Sequence, residues 1–142
     1  MKLAIASDHG GFALKQDILR HYTQYQWLDL GTYSEESVDY PDYAQKMADA
    51  VRGGAAELGI LVCGTGIGIS IAANRCKGIR AALLYSVEAA KLAKEHNNAN
   101  VLVFGGRTMK PENVFSCIDA FMAAEFAGGR HQRRLDKIET VE

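Results

Sequence analysis

Five short apolar runs alternate with longer stretches in which apolar residues recur at helical spacing. No other feature of the chain limits its fold as strongly. The runs cover residues 3–6, 27–30, 58–62, 79–84 and 100–104. The run at 58–62 is apolar throughout and bounded by glycines, the pattern of a strand buried on both faces of a parallel sheet. Helical spacing predicts helices over about 12–22, 42–52, 67–75, 86–96 and 111–126. Pro41 suits a first helical turn, where its missing N–H would be unpaired anyway, and Ser86 is placed to cap the fourth helix. Strict alternation implies an α/β fold, a three-layer αβα sandwich around a five-stranded parallel sheet.

Right-handed crossovers leave few topologies, and 2-1-3-4-5 is the common strand order that fits a Rossmann-like sheet of this kind. A basic segment from Arg130 to Ile138 follows the last glycine pair and is expected as a C-terminal helical tail. In such sheets the site lies beyond the carboxyl ends of the strands, near the switch point between strands 1 and 3. Asp8-His9 after strand 1 and the Cys63 loop after strand 3 fall there.

Length and charge narrow the function. The chain has 142 residues and 15.5 kDa, enough for one domain over 1–142 with its own core, the basic tail taking about 127–142. A formal charge of −1 excludes a general grip on nucleic acid or anionic lipid. No apolar stretch approaches the roughly 20 residues of a membrane span, and no targeting segment is visible. Three cysteines without zinc-ligand spacing fit a reducing compartment, so a cytoplasmic location is expected. Fourteen glycines against two prolines point to individual tight turns and not to disordered linkers.

Chemistry concentrates in a few segments. Cys63-Gly64-Thr65-Gly66-Ile67-Gly68 joins a buried strand to a helix, where N–H groups and the helix dipole can hold a phosphate or a developing oxyanion. The spacing is neither a P-loop nor a dinucleotide fingerprint, and a mere packing turn is the alternative. A cysteine at a helix N-terminus can serve as thiolate nucleophile or base; a small buried hydrophobe is the competing reading. Cys76 and Cys117 have no such setting. Asp8 and His9 could move protons or bind phosphate, and Asp8 could equally cap the next helix. His96 could simply end its helix. The topology returns that helix to the far edge of the sheet, so His96 reaches Cys63 only if a partner subunit supplies it. Arg107 follows the last strand, and Arg130, Arg133 and Arg134 cluster with His131; their forks suit one phosphate on a small substrate, and a merely solvated basic tail is the competing reading.

These segments resemble the ribose-5-phosphate isomerase B family, whose wider group includes galactose-6-phosphate isomerase subunits. The matches are Ser7-Asp8-His9-Gly10-Gly11, Asp39-Tyr40-Pro41, Cys63 through Asn74, Glu95-His96-Asn97-Asn98-Ala99, Phe104-Gly105-Gly106-Arg107 and Gly128 through Arg134, in order over nearly the whole chain. The resemblance implies an aldose–ketose isomerase of the pentose phosphate pathway, without cofactor or metal. It interconverts ribose 5-phosphate and ribulose 5-phosphate. By motif position, Cys63 is the base between C2 and C1, Thr65 shuttles protons on the substrate oxygens, and His96 with Asp8 assists ring opening. Gly64, Gly68 and Asn97 stabilise the cis-enediolate and Tyr40 packs on the sugar. His9, Arg107, Arg130 and Arg134 hold the phosphate. The family shares its sites across a homodimer, possibly paired into a tetramer, and the basic tail is expected to contact the partner.

Two other functions compete. One is a six-carbon isomerase for allose 6-phosphate or galactose 6-phosphate. The other is a non-catalytic nucleotide-binding module using the glycine loop; the absent dinucleotide fingerprint and the presence of Cys63 count against it.

Overall fold

A computed structural model describes residues 1–141. Each apolar run forms a strand and each periodic stretch a helix. In chain order they are β1 (Lys2–Ser7), α1 (Phe12–His21), β2 (Gln26–Asp29), α2 (Tyr40–Arg52), β3 (Leu58–Cys63), α3 (Ile67–Asn74), β4 (Ala81–Leu83), α4 (Val87–Glu95), β5 (Val101–Gly105), α5 (Pro111–Ala123) and α6 (Arg130–Glu139). Pro41 lies in the first turn of α2, and Ser86 Oγ accepts the Ala89 N–H at 3.1 Å as the cap of α4. The basic tail is the helix α6. No helix among the described residues is long and apolar enough to cross a membrane.

All strand pairs are parallel, but their order is β2-β1-β3-β5-β4 and not the expected 2-1-3-4-5. Burial explains the exchange. Val101–Gly105 is buried at every position, whereas the three residues of β4 are each only partly covered. The fully apolar run takes the inner place beside β3, and the short one becomes the edge. Asn74 at the end of α3 clamps that edge: its Nδ2 donates to the Ala81 carbonyl at 2.9 Å and its Oδ1 accepts the Ala81 N–H at 2.8 Å.

The order also sets which helices share a face. From β3 the chain passes outward to β4 and then back to β5. With right-handed crossovers, that reversal moves α4 to the opposite face from α3. Leu14 and Ile18 of α1, Ala90 and Ala93 of α4, and Val114, Ile118 and Phe121 of α5 form one core with Leu3, Ile5, Ile60 and Leu102. Met47 of α2 and Ile69 and Ala73 of α3 form the other, with Ala4, Leu61 and Val103. Alternate residues of each central strand thus feed opposite cores.

Lys15 is an exception inside the first core. Its side chain is fully buried, and Nζ lies 2.6 Å from Asp29 Oδ1 at the end of β2. The same oxygen accepts the Gly31 N–H at 3.0 Å, and the Tyr33 hydroxyl donates to the Asp29 carbonyl at 3.0 Å. The pair fastens α1 to the segment that leads toward α2. The two partners differ in exposure, since the Asp29 side chain keeps 31% of its surface in contact with solvent. Asp29→Asn keeps the acceptor for Gly31 but strands a buried ammonium, and is expected to cost about 3 kcal/mol. Lys15→Met leaves a carboxylate that water can reach, and is expected to cost less than about 1 kcal/mol. Urea unfolding midpoints check this asymmetry; equal losses would contradict it.

Candidate active site

The loops after β1, β3 and β5 meet at the carboxyl edge of the sheet. β1 and β5 send their helices to one face and β3 sends α3 to the other, so a crevice opens where the loops diverge. Glycines let the three backbones touch. A Cβ on Gly10 would stand 3.1 Å from the Gly64 nitrogen, one on Gly11 2.5 Å from the Val62 oxygen, and one on Gly106 2.8 Å from the Gly10 oxygen. The Gly106 and Arg107 N–H groups donate to the carbonyls of Cys63 and Gly64 at 2.8 and 2.9 Å. The loop of Cys63 is thereby held from both sides by backbone.

Cys63 ends β3 and is buried, with Sγ accepting the Gly66 N–H at 3.2 Å. Gly66 adopts φ +81°, a conformation suited to glycine, which turns its N–H back onto the sulfur and opens α3. The N–H groups of Gly64 and Gly68 have no hydrogen-bond partner among the described residues. They are free donors on the loop that follows the sulfur, where α3 begins and the helix dipole is positive. Thr65 is exposed; its hydroxyl accepts the Ile67 N–H at 3.1 Å, and its carbonyl accepts from the Tyr85 hydroxyl. The Tyr40 ring lies against Gly68, where an added Cβ would be 2.6 Å from Cζ. Cys117 differs in kind. It is packed in α5, and burial pushes its thiol pKa up, which keeps it an inert core residue.

Asp8 is buried and its Oδ1 accepts the Gly11 N–H at 3.1 Å, which closes the turn ahead of α1; the N-cap of that helix is Gly11, so Asp8 does not cap it. His9 receives the Val38 N–H on Nδ1 at 3.2 Å. A nitrogen that accepts carries no proton, so Nε2 bears the N–H of the neutral ring and can donate to an anion. Asp8, His9, Val38, Asp39 and Tyr40 line a cleft of about 630 Å³. Arg107 is exposed, and its guanidinium lies over Gly10 and Gly64. Asp8, His9, Tyr40, Cys63, Gly64, Thr65, Gly68 and Arg107 are therefore brought to one edge of the sheet.

The remaining expected site residues lie at the other edge. His96 ends α4, and Asn97 follows it into the turn that leads to β5. Cys63 pairs in register with Gly105, the last residue of β5, whereas His96 precedes its first residue. Four residue steps from Val101 to Gly105 already span about 13 Å. Arg130 and Arg134 are on α6, which packs at the same amino edge: the Ala127 N–H donates to the Glu95 carbonyl at 2.9 Å. The His131 ring stacks on His96 with centroids 4.2 Å apart and planes at 11°. Within one chain the Cys63 cluster and the His96 cluster thus lie at opposite edges of the sheet. Sequence reading gave Tyr85 no place, and Asn74 and His131 appeared only as members of matched segments; their roles lie in contacts with residues far along the chain.

Comparison with known proteins agrees with this geometry. The model of the Ribose/Galactose Isomerase family matches residues 3–138. Ribose-5-phosphate isomerase B of Escherichia coli K12 is 46% identical, the match covering 99% of this chain and 96% of that protein. The crystal structure of a ribose 5-phosphate isomerase from Thermotoga maritima is 51% identical, with a TM-score of 0.96 over 99% of this chain and 98% of the other. Ribose-5-phosphate isomerase B from Mycoplasma genitalium, solved with bound ribulose-5-phosphate, is 46% identical, with a TM-score of 0.91 over 97% and 93%. The chain belongs to the ribose/galactose isomerase family.

Proposed function

We propose that this protein interconverts ribose 5-phosphate and ribulose 5-phosphate, in the non-oxidative pentose phosphate pathway of the cytoplasm. The observation that carries the reading is Cys63 Sγ seated beneath the Gly66 N–H, with the unpaired N–H groups of Gly64 and Gly68 on the loop that follows it. The likeness to a relative solved with ribulose-5-phosphate supports the substrate class.

An aldose–ketose shift needs a base, donors aimed at a developing oxyanion, and a grip on the remote phosphate. Cys63, as thiolate, takes the proton from C2 of the open-chain aldose. The C2–H electrons form the C1–C2 double bond, and the carbonyl electrons pass to O1. The N–H groups of Gly64 and Gly68, with Asn97, stabilise that charge. Thr65 moves a proton between O2 and O1, and Cys63 returns its proton to C1 to give the ketose. Tyr40 packs against the sugar. His9, with its N–H on Nε2, holds the phosphate together with Arg107, Arg130 and Arg134. No step calls for a metal or cofactor.

The far half-site reaches this chemistry across a homodimer. A partner supplies His96, Asn97, Arg130 and Arg134 to the Cys63 loop, and His96 then works beside Asp8 in opening the furanose ring. The 1–142 domain folds its own core but completes its site only with a second copy, whose contact includes the basic tail. Ile67 and Ile71, one turn apart on α3, expose 50% and 60% of their surface next to the Cys63 loop, and Tyr85 and Val87 are also exposed. Such a contiguous apolar surface beside an incomplete site fits burial by another subunit.

Turnover of ribose 5-phosphate, unchanged by a chelator and faster than that of allose 6-phosphate, is the expected result of a direct assay. Faster turnover of the six-carbon sugar would move the function to the six-carbon reading. Cys63→Ala is expected to lower kcat at least about 100-fold with ribose 5-phosphate binding nearly intact; retained turnover would exclude Cys63 as the base. Mixed Cys63→Ala and His96→Ala protomers are expected to recover about one quarter of wild-type activity. Half of the dimers are then hybrids, each with one complete site. No recovery after verified subunit exchange rules out sharing.

A further inference from the structure

His96 presents an unusual combination for a group that moves protons. Neither of its ring nitrogens has a hydrogen-bond partner among the described residues, so both remain free for substrate. A side chain without such a bond is ordinarily free to change rotamer. Here the ring is held by its face, stacked on the nearly parallel ring of His131 at 4.2 Å. His131 is itself packed in: it is 7% exposed, and its backbone N–H donates to the Gly128 carbonyl at 3.0 Å. It belongs to the first turn of α6, a helix anchored by buried Leu135 and by Glu139, whose Oε1 lies 3.7 Å from Arg80 Nη1. Gly128 and Gly129, at φ +66° and +57°, turn the chain so that this helix starts against the end of α4.

From this geometry we infer that His131 is a positioning residue for ring opening, fixing the plane of His96 while leaving both its nitrogens to the substrate. The inference rests on the ring-opening role proposed for His96. In that step the C1–O4 bond breaks, the C1 hydroxyl loses a proton and O4 gains one. No proton is consumed overall, and a ring with both nitrogens accessible can accept one and donate the other. Burial first, and then the charges of His96, Arg130 and Arg134, lower the His131 pKa. That environment favours the neutral form of His131, the form that does not repel a positive charge on the stacked ring. Arg130 and Arg134 flank His131 on α6, so the same helix carries the stacked ring and two of the phosphate contacts into the partner's site as one rigid piece.

Ribulose 5-phosphate has no furanose form, because its C5 hydroxyl carries the phosphate. Exchange of its C1 proton with solvent deuterium therefore needs Cys63 but no ring opening. The test compares His131→Leu, which fills the buried space without a flat face, with His131→Phe, which restores one. Two rates are read in each folded dimer: ribose 5-phosphate turnover, and C1 exchange in ribulose 5-phosphate followed by NMR. The expected result is a ratio of turnover to exchange that falls at least tenfold in His131→Leu and recovers most of the loss in His131→Phe. A ratio that stays at the wild-type value in His131→Leu overturns the inference, whether both rates fall together or neither does. A His131→Phe ratio no better than that of His131→Leu overturns it too. Failure of the function itself looks different: the wild-type protein would then show neither rate.

Discussion

Backbone-to-backbone contact between the three strand-end loops is the constraint on which the rest of the molecule depends. Gly10, Gly64 and Gly106 touch with no side chain between them, and Gly11 rests on the Val62 carbonyl. Only this approach lets the Gly106 and Arg107 N–H groups reach the carbonyls of Cys63 and Gly64. The sulfur is held where one N–H faces it and two others stand free. A methyl group at Gly10, Gly11 or Gly106 would press on the backbone of a neighbouring loop and disperse those donors, whereas one at Gly64 would meet only the Arg107 side chain.

Rigidity behind the loops comes from the sheet. β3 and β5 are buried at every position, and their apolar side chains divide between two cores. The edge strand β4 is short; it pairs with β5 over its three residues and is clamped as well at two points by Asn74. On the other side, buried Lys15 and Asp29 secure the segment that carries Val38 to His9 and brings Tyr40 onto Gly68. Both surroundings of the Cys63 loop are thus braced by polar contacts inserted into an otherwise apolar frame.

The length of a strand separates the Cys63 loop from the His96 and α6 residues. A helix in a parallel α/β fold carries the chain from the carboxyl edge back to the amino edge, so whatever follows α4 starts at least one strand length from Cys63. His96, Asn97, Arg130 and Arg134 are placed there together, and the His96–His131 stack joins the two segments that hold them. In the dimer proposed above, the group assigned to ring opening and the base assigned to C2 come from different subunits.

Periodicity and turn chemistry made most of this architecture legible. The five strands, the buried character of 58–62, the cap at Ser86, the first-turn Pro41 and the Cys63 loop at a helix N-terminus are local properties, encoded in neighbouring residues. The opposition of His96 to Cys63 was legible too, because it needs only the rule that helices return to the starting edge. The order of the last two strands was not. It depends on which run can be buried on both sides, and the competition between Ala81–Leu83 and Val101–Gly105 is settled by packing against β3. Pairings such as Lys15 with Asp29, Tyr85 with Thr65 and His131 with His96 likewise join distant parts of the chain. The sequence by itself determined the elements, the glycine turns and the chemical types available at each strand end, because these follow from local backbone and side-chain preference. Tertiary structure alone decided which strands are central, which donors remain unpaired and which rings are held in place, because those depend on the free energy of burying residues far apart in the chain against one another.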